Sequence, residues 1–192
     1  MLFAQSPFDK VLGCSNLEML KYEWIWEKPM ATGRLNCNFA PMKCHENILV
    51  FSDKAACYVK DSDSAMNYHP QMSVGKPYTA ISGRASTNYD TKFSKEQLTI
   101  NDGTRYPRDV IYFMHDKEHY HPTQKPVDLL EYLIRTYTNK GDLVLDNCFG
   151  SGSTAIACLN THRRFIGMEL NEEYFNIAKD RIQNHMVARS LF

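Results

Sequence analysis

Strand, glycine turn, helix, strand and helix succeed one another so tightly between Asp142 and His185 that few architectures can hold them. DLVLDNC is an apolar run of strand length and reads as buried; FGSGST turns it into the helix STAIACLN. RFIGMEL is a second strand. Asn171 is placed to cap a further helix, with Glu172 and Glu173 suited to its positive end, and that helix continues to about His185. Strands alternating with helices at this spacing predict an α/β fold, a parallel sheet with covering helices.

The glycines of the turn also have a chemical reading. Gly150 and Gly152 stand where a parallel strand ends and a helix begins, the place where open α/β sheets bind ligands and where backbone must approach them closely. Glu169 ends the next strand, and an acid there accepts hydrogen bonds from both hydroxyls of a ribose. Asp146 is placed to take the ammonium of an amino-acid moiety. A Gly-Ser-Gly turn alone is equally a plain structural turn, whereas the whole strand–turn–helix–strand–Glu unit favours a nucleotide-type ligand. A dinucleotide, and with it a nucleotide oxidoreductase, is disfavoured because position 155 is Ala where G-x-G-x-x-G has its third glycine.

Upstream, PVDLLEYLIRTYT carries Val127, Leu130, Leu133, Ile134 and Tyr137 at helical spacing, with Pro126 at the first helical position and Gly141 past the end. MLFAQSPF reads as a short strand entering a turn, and YEWIWEKP as a strand that stops at Pro29. HENILVFSD reads as a strand buried on both faces, and RYPRDVIYF as one returning to the sheet. Trp24 and Trp26 share one side of their strand and belong to the core. ATGRLNCNFAPMK is a loop; Asn36 and its neighbours face the substrate in one reading. Residues 55–120 show no sustained period, which marks a functional or disordered insertion. HPTQKP, His121 to Pro126, is either a rigid Pro-flanked lead into a helix or a set of polar groups presented at that helix N-terminus.

Lys+Arg 22 against Asp+Glu 22 leaves the chain with formal net charge +0, so any basic surface for a polyanion must be local or come from elsewhere. The six cysteines show no C-x-x-C pair, and no basic-then-apolar leader or membrane-length apolar run occurs. These features predict a cytoplasmic protein with reduced thiols and no membrane partner. His115, His119 and His121 beside Asp116 and Glu118 suggest a metal site, but no cysteine pair completes it, and the expected metal set is none.

HPTQKP, then LDNCFGSGST about twenty residues on, then IGMEL and NEEYFNIAKDRI, resemble the cofactor motifs of the beta-class DNA amino-methyltransferases, the N-4/N-6 DNA methylases. YEWIWEKP, ATGRLN, HENILVF and RYPRDVIYF resemble further segments of that family, so the likeness covers nearly the whole chain. It implies a Rossmann-like S-adenosylmethionine-dependent methyltransferase fold in one domain, 1–192. Residues 55–105 would be a target-recognition insert and 121–186 the cofactor-binding half. It implies transfer of a methyl group from S-adenosylmethionine to the exocyclic amine of adenine or cytosine in DNA, on a flipped base, as in restriction–modification. The cofactor-binding residues it implies are His121, Thr123, Lys125, Asp146, Phe149, Gly150, Gly152, Thr154 and Glu169.

The family's catalytic tetrapeptide, Asp/Asn/Ser-Pro-Pro-aromatic, is absent. Ser6-Pro7-Phe8 and Lys76-Pro77-Tyr78 each have a single proline, and no catalytic residue is assigned. Against the family pattern the chain begins at the end of the fifth strand and lacks the central fourth. The fold is therefore expected to be incomplete and the chain inactive by itself. Double-stranded DNA is the expected partner; a separate N-terminal fragment carrying the tetrapeptide and a homodimer are further partners to test. The competing reading is an inactive remnant, a binding module that retains S-adenosylmethionine affinity.

Overall fold

A computed structural model describes residues 1–57, 62–82 and 97–190. The chain divides into two units, Met1–His69 with Arg108–Phe192, and Pro70–Pro107. Part of the expected insert, residues 58–61 and 83–96, lies outside the described residues.

Among the described residues the larger unit holds two sheets. Strand β1 (Leu2–Ala4) is followed by helix α1 (Phe8–Cys14), and β2 (Leu20–Thr32) and β3 (Lys43–Phe51) form a long antiparallel hairpin. Within the smaller unit, β4 (Ser73–Val74) pairs β7 (Thr104–Arg105), and β5 (Tyr78–Ser82) pairs β6 (Gln97–Asn101), both antiparallel. Arg105 ties that unit together, its guanidinium 4.7 Å from the Tyr78 ring centre and donating to the Lys76 carbonyl at 2.6 Å. Strand β8 (Val110–Tyr112) then runs parallel to β2, completing a four-stranded sheet in the order β1-β3-β2-β8. Helix α2 (Val127–Tyr137), β9 (Leu143–Asp146), α3 (Ser153–Thr161), β10 (Arg164–Gly167) and α4 (Glu172–Ser190) follow, with β9 and β10 paired in parallel.

Helix α2 joins the two sheets because it has two apolar stripes. Leu129 and Leu133, four residues apart, pack on Trp24, Trp26, Ile48 and Val50 of the four-stranded sheet. Leu130 and Ile134, one step round the helix, pack on Ala157 and Cys158 of α3, with Val144 and Phe165 beneath. Leu129, Leu133, Trp26 and Ile48 are almost fully buried, each contributing about 1.5–3 kcal/mol on transfer from water. The two indoles also satisfy their N–H groups, Trp24 on the Tyr137 hydroxyl at 2.5 Å and Trp26 on the Phe113 carbonyl at 3.2 Å.

Four sequence expectations need correction. Strand β2 does not stop at Pro29 but reaches Thr32, because pairing jumps from Glu27↔His45 to Thr32↔Lys43. Pro29 sits in that irregular stretch, where its missing N–H costs no ladder bond. Strand β9 is not buried on both faces: Val144 faces the α2–α3 core while Leu143 and Leu145 are 51% and 61% exposed. Pro126 precedes the first helical residue instead of being it, and the first N–H of α2, on Val127, is accepted by Asp116 Oδ1 at 3.0 Å. Helix α4 runs past His185 to Ser190, since Arg189 donates to the Leu159 carbonyl at 2.9 Å and His185 pairs with Asn160 at 2.8 Å. Among the described residues no helix is long and apolar enough to cross a membrane.

Candidate functional site

A cleft of about 230 Å³ opens at the carboxyl end of β9, between the glycine turn and the loop that leads into α2. Its lining includes His121, Thr123, Lys125, Asp146, Phe149, Gly150, Thr154 and Glu169. Gly152 is the expected site residue that stays out of the lining. It holds a left-handed φ of +77° at the start of α3, and a Cβ there would stand 3.0 Å from Ala178.

The turn is built by hydrogen bonds that its own sequence supplies. Asp146 accepts the Cys148 N–H on one oxygen at 3.0 Å and the Thr154 hydroxyl on the other at 2.5 Å. Phe149 N–H donates to the Met168 carbonyl, which ties the turn to the end of β10. Its ring lies over Gly167, where a Cβ would come within 2.4 Å of the ring, so only glycine fits beneath it. Glu169 then closes the turn from the other strand, accepting Asn171 N–H at 2.9 Å and Gly150 N–H at 2.7 Å. The Asn171 and Gly150 amides hold its carboxyl below the ordinary glutamate range, and it is ionised at neutral pH. Asn171 also caps α4, its side chain accepting the Tyr174 N–H at 3.1 Å.

The opposite wall is the HPTQKP loop. His121 Nδ1 lies 3.2 Å from the Thr123 amide and 3.1 Å from its hydroxyl, and the imidazole packs against Tyr174 with centroids 4.2 Å apart. Lys125 pairs with Glu46 of β3 at 3.1 Å, donates to the Thr123 carbonyl at 3.3 Å and lies 5.2 Å from the Phe3 ring centre. The cleft therefore offers a carboxylate at each strand end, an ammonium and the Thr123 hydroxyl on the far wall, and the bare backbone of Gly150 between them.

Residues outside the expected set hold the two walls together. Gln124 Oε1 accepts the Tyr120 N–H at 3.0 Å and the Ser151 hydroxyl at 3.1 Å; its Nε2 donates to Asp116 at 2.9 Å and to the Glu118 carbonyl at 3.0 Å. Arg181 of α4 spans the same gap, reaching the Ser151 carbonyl at 3.2 Å, Ser153 Oγ at 3.0 Å and Asp116 at 3.6 Å. Gln124 had a sequence signal, since it lies inside HPTQKP at a helix start. Asp116 and Arg181 had none, because no local pattern links them to a turn at 149–152. Ser151, Ser153 and Cys148 line the cleft as members of the turn itself. His115 packs edge-on against Trp26 at 5.5 Å, and burial pushes its pKa down. Among the described residues no three of His, Cys, Asp and Glu stand together as a metal set.

Residues 10–180 match the family model described as DNA methylase. The chain is 29% identical over 182 residues to the DNA adenine methyltransferase YhdJ of Escherichia coli (strain K12), covering 94% of this chain and 58% of that protein. It is 38% identical over 74 residues to the type II methyltransferase M.HpaI of Haemophilus parainfluenzae, covering 38% of this chain and 24% of that one. The chain thus spans little more than half of one of these relatives and a quarter of the other. Among solved structures, the M1.HpyAVI–SAM complex superposes with a TM-score of 0.58 at 26% identity, covering 94% of this chain and 72% of that one.

Proposed function

The chain belongs to the DNA methylase family, and from that premise we propose that it forms the cofactor-binding half of a cytoplasmic, site-specific DNA amino-methyltransferase. Its fold is the Rossmann-like fold of the S-adenosylmethionine-dependent enzymes it resembles. The proposed reaction moves a methyl group from S-adenosylmethionine to the exocyclic amine of adenine or cytosine in double-stranded DNA. The observation that carries this reading is the convergence of HPTQKP, the glycine turn and Glu169 on one cleft.

In this reading Glu169 accepts the ribose hydroxyls, for which an ionised carboxylate is the right partner. Gly150 lets the turn approach the ligand, Gly152 seats the start of α3 against Ala178, and Phe149 packs beside the ligand. Asp146 receives the ammonium of the methionine moiety, with Thr154 fixing its orientation. His121, Thr123 and Lys125 cover the methionine end. The residue types suit the ligand: the Asp146 and Glu169 carboxylates are acceptors for an ammonium and for hydroxyls, and Gly150 leaves the backbone between them bare. When bound, S-adenosylmethionine supplies an electrophilic sulfonium methyl; the chain's share is to bind and orient it and to exclude water.

The sequence has no Pro-Pro pair, so we place the base-holding tetrapeptide on a separate segment. Support comes from the bare side of β9–β10, where Leu143, Leu145, Ile166 and Met168 are 47–61% exposed. Among the described pairings β1 bonds only β3 and β9 only β10, yet Phe3 of β1 and Val144 of β9 pack on the same Leu130–Ile134 cluster. Two unpaired edges over one helix pair suit an added strand. Residues 55–105 remain the proposed target-recognition insert.

The test joins calorimetry with S-adenosylmethionine to a tritium-transfer assay on duplex DNA. Transfer is run with the chain alone and with an added fragment carrying the tetrapeptide strand. Binding together with transfer in the complemented pair is the expected result. Binding without transfer in either case makes the chain a non-catalytic binding module, and no binding removes the cofactor reading. Sedimentation tests a homodimer as the competing cover of the exposed face.

A further inference from the structure

The turn between β2 and β3 exposes large apolar side chains on an ordered scaffold. Leu35 is 97% exposed, Phe39 90% and Met30 72%. The scaffold is defined: Gly33 takes a left-handed φ of +94°, Arg34–Asn36 form a 3-10 turn, and the Asn36 carbonyl accepts the N–H of both Phe39 and Ala40 at 2.9 Å. Side chains of this size held in water on a fixed turn mark a binding surface, not a packing error.

Charge selects the partner. Between Glu27 and Glu46 the sequence carries Lys28, Arg34 and Lys43 and no acid, in a chain whose formal net charge is +0. Lys43 donates to the Ser6 carbonyl at 2.8 Å. A cationic tip with exposed Leu and Phe suits a polyanion that also offers apolar surface, which is what stacked bases between phosphates provide. Position agrees. Glu46, opposite Trp26 in the hairpin ladder, pairs with Lys125 of the cleft wall, and Thr32 lies six residues farther along β2. At about 3.3 Å per residue the tip begins at most roughly 20 Å beyond the cleft, within reach of a duplex engaged there.

We propose that this hairpin tip is a DNA wedge: Leu35 and Phe39 enter between base steps while Arg34 and Lys43 hold the flanking phosphates. The proposal rests on the DNA-methyltransferase reading for its substrate, and the experiment separates the two. The full chain is titrated into a fluorescein-labelled mixed-sequence duplex at low salt, and into a duplex containing 2-aminopurine. Leu35→Ser with Phe39→Ser is expected to weaken binding about tenfold and to abolish the 2-aminopurine signal. Arg34→Gln is expected to lower the slope of log affinity against log salt by about one. Both variants change only exposed side chains, and S-adenosylmethionine affinity measured on the same samples reports that the fold and cofactor site are intact.

Unchanged duplex affinity in the double variant, or no duplex affinity in the unaltered chain, overturns the wedge while cofactor binding leaves the methyltransferase reading standing. Hairpin-dependent duplex binding without cofactor binding does the reverse. Hairpin-dependent binding to phosphatidylserine vesicles in place of duplex makes the tip a membrane contact and overturns the wedge.

Discussion

Gly167→Ala is the smallest change that tests how the cleft is built. The added Cβ would meet Phe149 at 2.4, 2.5 and 2.6 Å from three ring carbons, against about 3.5–4.0 Å for an ordinary carbon contact. The ring therefore has to retreat by roughly 1 Å. It is 8% exposed, clustered with Ala155 and Ala178 and stacked on Phe165, so a retreat gives up these contacts for the apolar groove it shares with Phe165, Phe175 and Ile182. Its backbone is bonded to Met168, and Gly150 next to it donates to Glu169. Moving the ring thus moves the turn. Overpacking of this kind costs about 1–3 kcal/mol, or a fall in Tm of roughly 2–12 °C for a chain of this size. Misplacing a single hydrogen bond to the ligand costs about 1 kcal/mol more, roughly a fivefold loss of S-adenosylmethionine affinity. Circular-dichroism melting and calorimetry measure both. Phe149→Leu in the same chain relieves the clash, so the double variant loses less than the sum of the single losses, with a coupling of at least about 0.5 kcal/mol. Gly167→Ala with Tm within about 1 °C of the unaltered chain and Kd within twofold would refute the packing argument.

Glu169→Gln is expected to lower S-adenosylmethionine affinity about tenfold or more, since a charged acceptor is lost. Because the folded carboxyl titrates below its unfolded value of about 4.3, its stabilisation is complete above that pH and disappears as pH falls through the lower folded value. Urea midpoints of the two proteins should thus converge in acid, and a gap constant down to pH 3 would count against the bonds described. Gln124→Leu removes the link between the cleft walls and is expected to cost about 1–3 kcal/mol with weaker cofactor binding; unchanged calorimetry would show the link to be idle. Among the thiols, Cys14, Cys37, Cys44, Cys57 and Cys148 are exposed, whereas Cys158 is buried with its thiol pushed up to about 11. A thiol reagent should titrate five rapidly and the sixth only on unfolding. S-adenosylmethionine should protect Cys148, which lines the cleft, and the absence of any protected thiol would speak against the proposed ligand.

Much of the α/β half was legible because its signals are local. The FGSGST turn does lie between β9 and α3, Asn171 does cap its helix, and the apolar spacing of α2 marks the faces that pack. Boundaries were less legible. Pro29 reads as a stop, and only the jump in register against β3 shows how the strand absorbs it.

The sequence by itself therefore determined the order of elements from α2 to α4, the glycine turn and the acid at the end of β10, since each depends on neighbours a few residues away, whereas α1 and the short strands β4 to β7 carried no such local signal. Tertiary structure decided what those residues meet. The spacing of α2 does not say that Leu129 and Leu133 face one sheet while Leu130 and Ile134 face the other. An apolar strand run does not say whether both sides are covered, and β9 proved covered on one. Gln124, Asp116 and Arg181 hold the cleft walls together through contacts 8 to 65 residues apart in sequence, and only the packing of α2 and α4 around the glycine turn brings them within bonding distance.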